Sequence, residues 1–469
     1  MPVSPLYRPG PRYSALGPEF ADPVAPAAFP QQIIRFRNDR AAATVGLDRL
    51  DDAEWRSAFA SFAPLPGNQA EPLAMRYHGH QFRHYNPNLG DGRGFLFAQL
   101  RETRTDRLLD LGTKGSGQTP WSRTADGRLT LKGGVREVLA AEMLEALGVP
   151  TSRAFSLVET GEELWRNDEP SPTRGAVLTR LSHSHIRFGS FQRHAYVERP
   201  DLVKQLAEHV LENYYPEVAD EGPAGLLRAV VGRSARLAAR WMAAGFVHGV
   251  LNTDNLNLTG ESFDYGPYRF LPYNDPRFTA AYFDEQGLYA FGRQPESVFW
   301  NLQQLAGALS TIEDSDPLVD ALNGFADAYR DALAAAMVER LGLKGSSPEA
   351  DAALANAAFR AIGEAGRELR WEPFFFDWFG GSASEARAMA GPRAALYEGS
   401  AFKALRGKLA AYEPERPERL ERAYFGRVEP EELLYDEIEA IWAKIAETDD
   451  WSAFEAKVAS IGAAREAVA

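Results

Sequence analysis

Apolar positions run in short strand-like bursts through the first two hundred residues and then settle into a helical rhythm. The Gly-punctuated stretch NPNLGDGRG leads into Phe95-Leu96-Phe97-Ala98-Gln99-Leu100, which reads as a loop entering a strand. A polar turn at 102–107 separates it from Leu108-Leu109-Asp110-Leu111-Gly112-Thr113-Lys114, the second strand of a hairpin, so Lys114 sits near a strand end. Over 134–147 the residues Val135, Val138, Leu139, Met143, Leu144 and Leu147 keep helical spacing, and Gly148 supplies a stop. Leu157-Val158 and Ala176-Val177-Leu178 are further short strand candidates.

Beyond Asp201 the 3.6-residue period predicts helices over 202–214, 224–244 and 297–338. Between the last two lies an irregular stretch, 245–293, dense in Asp, Asn, Gly and Tyr, the kind of loop region in which catalytic residues concentrate. From about Ser346 the chain is Ala/Glu/Arg-rich and helical, and no internal repeat is found. The first seventy residues are rich in Pro and Ala with little periodicity, which predicts an extended arm wrapping the body, with a mobile tail as the alternative. The expected class is α+β with four parts: an N-terminal arm (1–74), a strand-rich small lobe (75–200), a helical large lobe (201–345) and a helical C-terminal extension (346–469).

Composition narrows the function. At 469 residues the chain has room for two lobes plus terminal segments. Its net charge of −14 argues against a general nucleic-acid binder, so any phosphate site must be a local basic pocket. No window approaches the roughly 18 uninterrupted apolar residues of a membrane span. The absence of cysteine removes disulfides, thiolate metal sites and cysteine nucleophiles. The first twenty residues show neither a secretory nor a transit pattern, and a cytoplasmic location is expected.

The strongest chemical signal is His248-Gly249-Val250-Leu251-Asn252-Thr253-Asp254-Asn255 followed by Asp264-Tyr265-Gly266. Its layout matches a kinase catalytic loop and metal motif, with Asn255 and Asp264 as metal ligands. Val250 stands where a kinase has its catalytic aspartate, and a valine side chain accepts no proton. Asp254, directly before the metal asparagine, is the carboxylate left to act as base. Upstream, Gly90-Asp91-Gly92-Arg93-Gly94 is a candidate phosphate loop, since glycines let backbone N–H groups approach a ligand. The order glycine loop, strand, Lys114, then Glu137 on a helix reproduces the kinase lysine–glutamate ion pair. Arg93, Lys132, Arg180 and Arg187 add cations along the same region; if several converge on a triphosphate, they would draw its terminal phosphates inward and leave the α-phosphate facing metal and base. His78, His80 and His84 have a spacing that suits neither one strand face nor one helix face, and are read as structural or substrate-side, not as a metal site.

The blocks YHGHQFRHYNPNLGDGRG, KGSGQTPWSRTADGRLTLKGGVREVLAAEMLEALGVPTSRAFSLVET, GAVLTRLSHSHIRFGSFQ and HGVLNTDNLNLTGESFDYGPYRFLPYNDP together resemble the selenoprotein O family, also called the YdiU family of protein adenylyltransferases, over about residues 7 to 310. The resemblance implies a protein-kinase-like fold that binds ATP in a flipped orientation. The family transfers AMP to Ser, Thr or Tyr hydroxyls of protein substrates with Mg²⁺ or Mn²⁺, releasing pyrophosphate. Carried over by motif, Asp254 is the proton acceptor, Asn255 and Asp264 bind metal, and Glu137 pairs with Lys114. Gly90, Gly92, Arg93, Lys114, Asp126, Gly127, Arg180, Arg187 and Asp264 would contact ATP.

Two departures stand out. Lys132-Gly133-Gly134-Val135-Arg136-Glu137 replaces the family's Arg-Ser-Ser-Ile-Arg-Glu, and the usual C-terminal Asn-Pro and Arg-Asn segment is not found in the last hundred residues. Without cysteine or selenocysteine, gating by a disulfide is excluded. Partners implied are a nucleotide and hydroxyl-bearing proteins, with no nucleic acid and no membrane. UMP transfer from UTP, a true phosphotransferase and an inactive nucleotide-binding scaffold are the competing readings.

Overall fold

The computed structural model of the chain describes residues 3–167 and 169–469. Its main sheet is antiparallel and holds β1 (Ala21–Pro23), β2 (Ile33–Arg37), β3 (Leu73–Met75), β6 (Leu96–Arg101), β7 (Leu108–Lys114), β8 (Leu129–Thr130), β9 (Arg153–Leu164) and β10 (Thr173–Ser182). The order is β1-β3-β6-β7-β10-β9-β2, with β8 also on β10. Two small pairs stand apart, β4 (Gly79–Gln81) with β5 (His84–Asn86) and β11 (Phe246–Val247) with β12 (Arg269–Phe270). The hairpin predicted around the 102–107 turn is β6–β7, and the two short strand candidates are the centres of the longer β9 and β10.

Alternation along β7 and β10 gives the sheet two unlike faces, because successive side chains point to opposite sides. Leu109, Leu111, Val177 and Leu181 join a core with Trp55 and Phe59 of α2 (Asp52–Phe59). Leu108, Ala176 and Leu178 join another core with Val135, Val138 and Leu139 of α3 (Leu131–Ala146). Each such fully buried side chain is worth about 1.5–3 kcal/mol. Lys114 lies opposite Leu178 and Arg180 lies opposite Gly112, so both cations share the α3 side of the sheet.

Residues 3–74 form more than an extended arm: they supply β1 to β3, α1 (Asp39–Ala43) and α2. Helix α2 opens on a capping box in which Asp51 accepts from the Glu54 amide (2.9 Å) and Glu54 from the Asp51 amide (3.1 Å). Trp55 then stacks on Phe155. Eight residues are too few to raise a periodic signal, which is why the pattern there looked featureless.

Helices follow the predicted rhythm in α3, in α5 (Pro200–Tyr214) and in α6 (Gly222–Ala243). The preceding α4 (Phe188–Tyr196) was not foreseen, since only Phe188 and Phe191 mark its apolar face. The single rhythm read over 297–338 is corrected to three helices, α7 (Gln294–Leu309), α8 (Ser315–Asn323) and α9 (Phe325–Arg340). The breaks fall at 310–314 and at Gly324, and Pro317 sits in the first turn of α8, where a missing N–H is tolerated. Beyond lie α10 (Pro348–Ala365), α11 (Trp371–Asp377), α12 (Glu385–Ala390) and α13 (Ser400–Leu409), whose Trp371, Phe374 and Trp378 share a core with Met242 of α6 and Met337 of α9.

The last two helices, α14 (Tyr435–Thr448) and α15 (Ser452–Val468), reach back to the sheet. Asp449 between them pairs with Arg35 of β2 (3.1 Å) and Arg174 of β10 (2.7 Å), while Glu439 takes Lys132 of α3 (2.7 Å) and Arg465 takes Glu142 (2.8 Å). Among the described residues no helix is long and apolar enough to cross a membrane.

Candidate active site

The site is assembled where the α3 face of the sheet meets the irregular stretch after α6. Glu137, buried on α3, bonds Lys114 from the end of β7 and lies 3.7 Å from the Arg180 guanidinium on β10. Lys114 also bonds Oδ1 of Asp264, to which Arg180 donates at 3.4 Å. Two cations and two carboxylates thus interlock among residues 23 to 150 positions apart. Lys114 and Arg180, followed by the Arg93 side chain, hold the Asp264 carboxyl well below the usual carboxylate range against the opposing pull of its burial. Asp264 sits at φ +66°, a left-handed conformation that Asp tolerates better than most residues.

Removing one partner from such a buried cluster leaves a charge uncompensated. Glu137→Gln is therefore expected to lower the unfolding free energy by about 3 kcal/mol, as read by urea denaturation. An unchanged midpoint would mean that Arg180 and Lys114 are neutralised without Glu137.

The catalytic-loop segment turns through a short 3₁₀ element, Thr253–Asn255. Asn255 donates its side-chain amide to the Val250 carbonyl (3.0 Å), which orients its amide group within the turn. His248, two residues before Val250, bonds the Phe263 carbonyl through Nε2 (2.9 Å) and so ties the catalytic turn to the segment bearing Asp264. Asp254 has a buried Oδ1 with no hydrogen-bond partner among the described residues. Burial pushes its carboxyl up to about 6, with the Arg187 cation as the main counterweight. A carboxylate poised there suits proton acceptance near neutral pH.

Arg187, at the N-terminus of α4, pairs with Asp91 (3.0 Å) and lies over the Tyr77 ring (4.0 Å). The glycines upstream are demanded by the fold itself. A Cβ at Gly90 would fall 2.3 Å from the Trp121 ring, one at Gly92 2.9 Å from the Trp121 carbonyl, and one at Gly94 2.1 Å from the Thr113 carbonyl. Arg93 projects from this loop and lines a cleft of about 470 Å³ together with Lys114, Glu137, Arg128, Arg136 and Arg166. Volumes of this order hold small-molecule ligands. The cleft is strongly basic in a protein of net charge −14.

Asp126 and Gly127 are not on the cleft wall, and Asp126 is linked to it through Arg166. Asp126 is held by Arg166 (2.8 Å), and the φ of Gly127, +70°, brings it against the backbone of Gly117. Lys132 lines the same cleft but is already partnered by Glu439. Of the predicted residues, Arg93, Lys114, Lys132 and Glu137 line the cleft, Lys114, Glu137, Arg180 and Asp264 form the ionic cluster, and Asp254 and Asn255 stand on the short turn, whereas Gly90, Gly92, Asp126, Gly127 and Arg187 lie outside all three.

Several site-forming contacts were not read from the sequence. The β4–β5 hairpin grips the catalytic turn: the His80 amide donates to Thr253 Oγ1 (2.7 Å) and the Phe82 amide to Asn252 Oδ1 (3.1 Å). A Cβ at Gly79 would lie 3.0 Å from Asp254 Oδ1. His78 bonds Tyr85 (2.8 Å) and Arg193 (3.0 Å), and His80 bonds Gln192 (2.8 Å), so these histidines knit the hairpin to α4. Among the described residues no three His, Asp or Glu side chains gather to hold a metal unaided. Behind the cations, buried Asp110 accepts from the His185 amide (2.8 Å) and from Gln99 (2.7 Å), bracing the loop that leads to Arg187. The charged positions Asp110 and Lys114 within β7 were the available signal for that face.

The chain matches a family model described as Protein adenylyltransferase SelO over residues 7–461. The match extends past residue 310, where the motif resemblance ended, and takes in α10 to α14 and part of α15. A Protein nucleotidyltransferase YdiU of Synechocystis sp. is 52% identical over 344 residues, 72% of this chain and 71% of the relative. That of Gloeobacter violaceus is 45% identical over 458 residues, 95% and 92% of the two chains. That of Pseudomonas putida (strain GB-1) is 40% identical over 362 residues, 76% and 72%.

Proposed function

From the premise that the chain belongs to the protein adenylyltransferase SelO family and is a nucleotidyltransferase, we propose that it moves AMP from ATP to Ser, Thr or Tyr hydroxyls of proteins, using the residues of this cleft. The carrying observation is the pairing of Val250, which cannot serve as a base, with a partly buried Asp254 whose Oδ1 has no partner among the described residues, beside the Lys114–Glu137–Arg180–Asp264 cluster. That arrangement supports a two-lobed kinase-like layout, with the sheet and α3 as small lobe and the helices after Asp201 as large lobe.

In this reading Lys114, Arg180, Arg187 and Arg93 neutralise the β- and γ-phosphates, and Asp126 and Gly127 meet the nucleotide. Asn255 and Asp264 would hold a divalent cation. Their donors are one amide and one carboxylate oxygen, the hard set that Mg²⁺ or Mn²⁺ completes with phosphate oxygens and water. Lys114 and Arg180 both use Oδ1 of Asp264, which leaves the second oxygen for the cation. When bound, such an ion supplies charge stabilisation at the α-phosphate.

Asp254 accepts the acceptor hydroxyl's proton as that oxygen bonds to the α-phosphorus. The bond from the α-phosphorus to the bridging oxygen breaks, and pyrophosphate leaves against the arginines and lysine, whose positive charge is already in place. The site's preorganised ionic cluster requires no rearrangement of charge during the step.

The test supplies ATP labelled at either the α- or the γ-phosphate, with Mg²⁺ or Mn²⁺ and a panel of protein acceptors. Protein-bound label from the α-phosphate alone is the expected result. Label from the γ-phosphate would replace this reading with a kinase, and equal use of α-labelled UTP would widen it to UMP transfer. ATP binding without transfer to any acceptor would leave a scaffold.

A further inference from the structure

Large apolar side chains are seldom exposed in contiguous patches on soluble proteins unless something covers them. Among the described residues ten large apolar side chains are exposed, and four of them, Tyr196, Val197, Tyr282 and Phe283, lie at the two ends of one surface belt. Tyr282 is 86% exposed and Phe283 48%, and both stand at the mouth of the basic cleft. Phe283 touches Phe82 (5.7 Å), the residue whose amide holds Asn252. Next to it Arg83 lies over the Trp300 ring (5.4 Å), and Trp300 meets His80 (5.2 Å). From His80 the rings continue through Tyr85 (5.0 Å) to Tyr196 (4.8 Å).

The belt is built on the hairpin whose backbone grips Asn252 and Thr253, so whatever covers it lies against the element that holds the turn bearing Asp254. Phe82 and Arg83 have φ of +50° and +65°, two consecutive left-handed residues without a glycine. Such a backbone costs on the order of 1–3 kcal/mol per residue and clusters where ligands are clamped. Here it sends Arg83 out over Trp300 while Phe82 stays under Phe283. Arg83 is partnered by Glu296 (3.2 Å), so the belt presents rings more than net charge.

We propose that this belt is the docking surface for the acceptor protein, taking an extended segment that carries an aromatic or large aliphatic side chain beside its hydroxyl. The proposal rests on the nucleotidyltransfer reading above and adds the substrate class to it. A second copy of the chain would not require continuity with the cleft, whereas an acceptor must bridge belt and Asp254. Aromatic rings of this kind give recognition through buried area with few rotors to immobilise.

The test uses synthetic peptides with one serine, flanked by phenylalanine, alanine or glutamate, and the full chain as wild type, Tyr196→Ala and Trp300→Ala. Transfer of α-phosphate label is followed as a function of peptide and, separately, of ATP. Expected are a lower KM for the phenylalanine-flanked peptide and a rise of about tenfold in that KM in the variants, with kcat and the KM for ATP held. Equal KM values across the peptides, or variants matching wild type, would overturn the proposal. So would a change of oligomeric state in the variants without a change in acceptor KM, which would make the belt a self-interface. If wild type labels proteins but none of the peptides, the surface does not read extended segments and the proposal fails alone. If wild type labels nothing while binding ATP, the nucleotidyltransfer reading fails and takes the proposal with it.

Discussion

Asp264→Asn is expected to reduce transfer of α-phosphate label by on the order of 10³-fold while leaving a folded protein. Asparagine, unlike alanine, keeps the left-handed backbone at φ +66° comfortable, so the substitution removes charge with little strain. What disappears is the carboxylate that faces Lys114 and Arg180 and that, in the proposed reading, would supply one donor to the cation. The cluster then holds two cations against Glu137 alone. In metal-free buffer the variant should therefore bind tripolyphosphate at least as tightly as wild type, because the added anion restores the missing charge. Calorimetry for binding and the labelling assay for transfer separate the two effects. A folded variant within tenfold of wild-type activity would remove Asp264 from the chemistry.

Asp254→Asn should cost about 10² to 10⁴ in kcat, the usual contribution of a general base. The same substitution should stabilise the unliganded protein above neutral pH, and the sign follows from linkage. The Asp254 carboxyl ordinarily titrates at 3.8 and is pushed up to about 6 in the folded protein, chiefly by burial. The native state thus binds the proton more tightly than the unfolded chain. Stability from this group is complete below pH 3.8 and is lost as pH rises through 6. Asparagine carries no such penalty, so at pH 8 the variant should gain about 1–3 kcal/mol, a gain that vanishes near pH 4. Chemical denaturation at the two pH values measures it. In wild type, kcat/KM should fall below about pH 6 as the base is protonated. A variant destabilised at pH 8 would mean that the Asp254 charge is welcomed by its surroundings.

These two effects belong to one trade. A partly buried carboxylate beside a cation, with one oxygen unpartnered among the described residues, is poorly placed for stability and well placed to take a proton. Away from the cleft the opposite economy holds, with Asp449 meeting Arg174 of β10 and Glu142 of α3 meeting Arg465 of α15.

By itself the sequence determined the local pieces and named the residues of the candidate site. Alternation over 108–114 made a strand with Lys114 at its end, the spacing of Val135, Val138 and Leu139 made a helix that turns Glu137 toward it, and the 248–266 motif marked Asp254, Asn255 and Asp264. These signals are legible because strand and helix periods are carried by neighbours in the chain. Tertiary structure alone decided what meets across long separations. The gripping of Thr253 by His80 joins residues 173 apart, Arg187 finds Asp91 and Tyr77, and α14 and α15 fold back onto β2, β10 and α3. It also decided that Gly90, Gly92 and Gly94 make room for Trp121 and Thr113, and that the helical rhythm of 297–338 breaks into three. Such pairings depend on which faces are buried together. Burial is a property of the packed chain, and no local period records it.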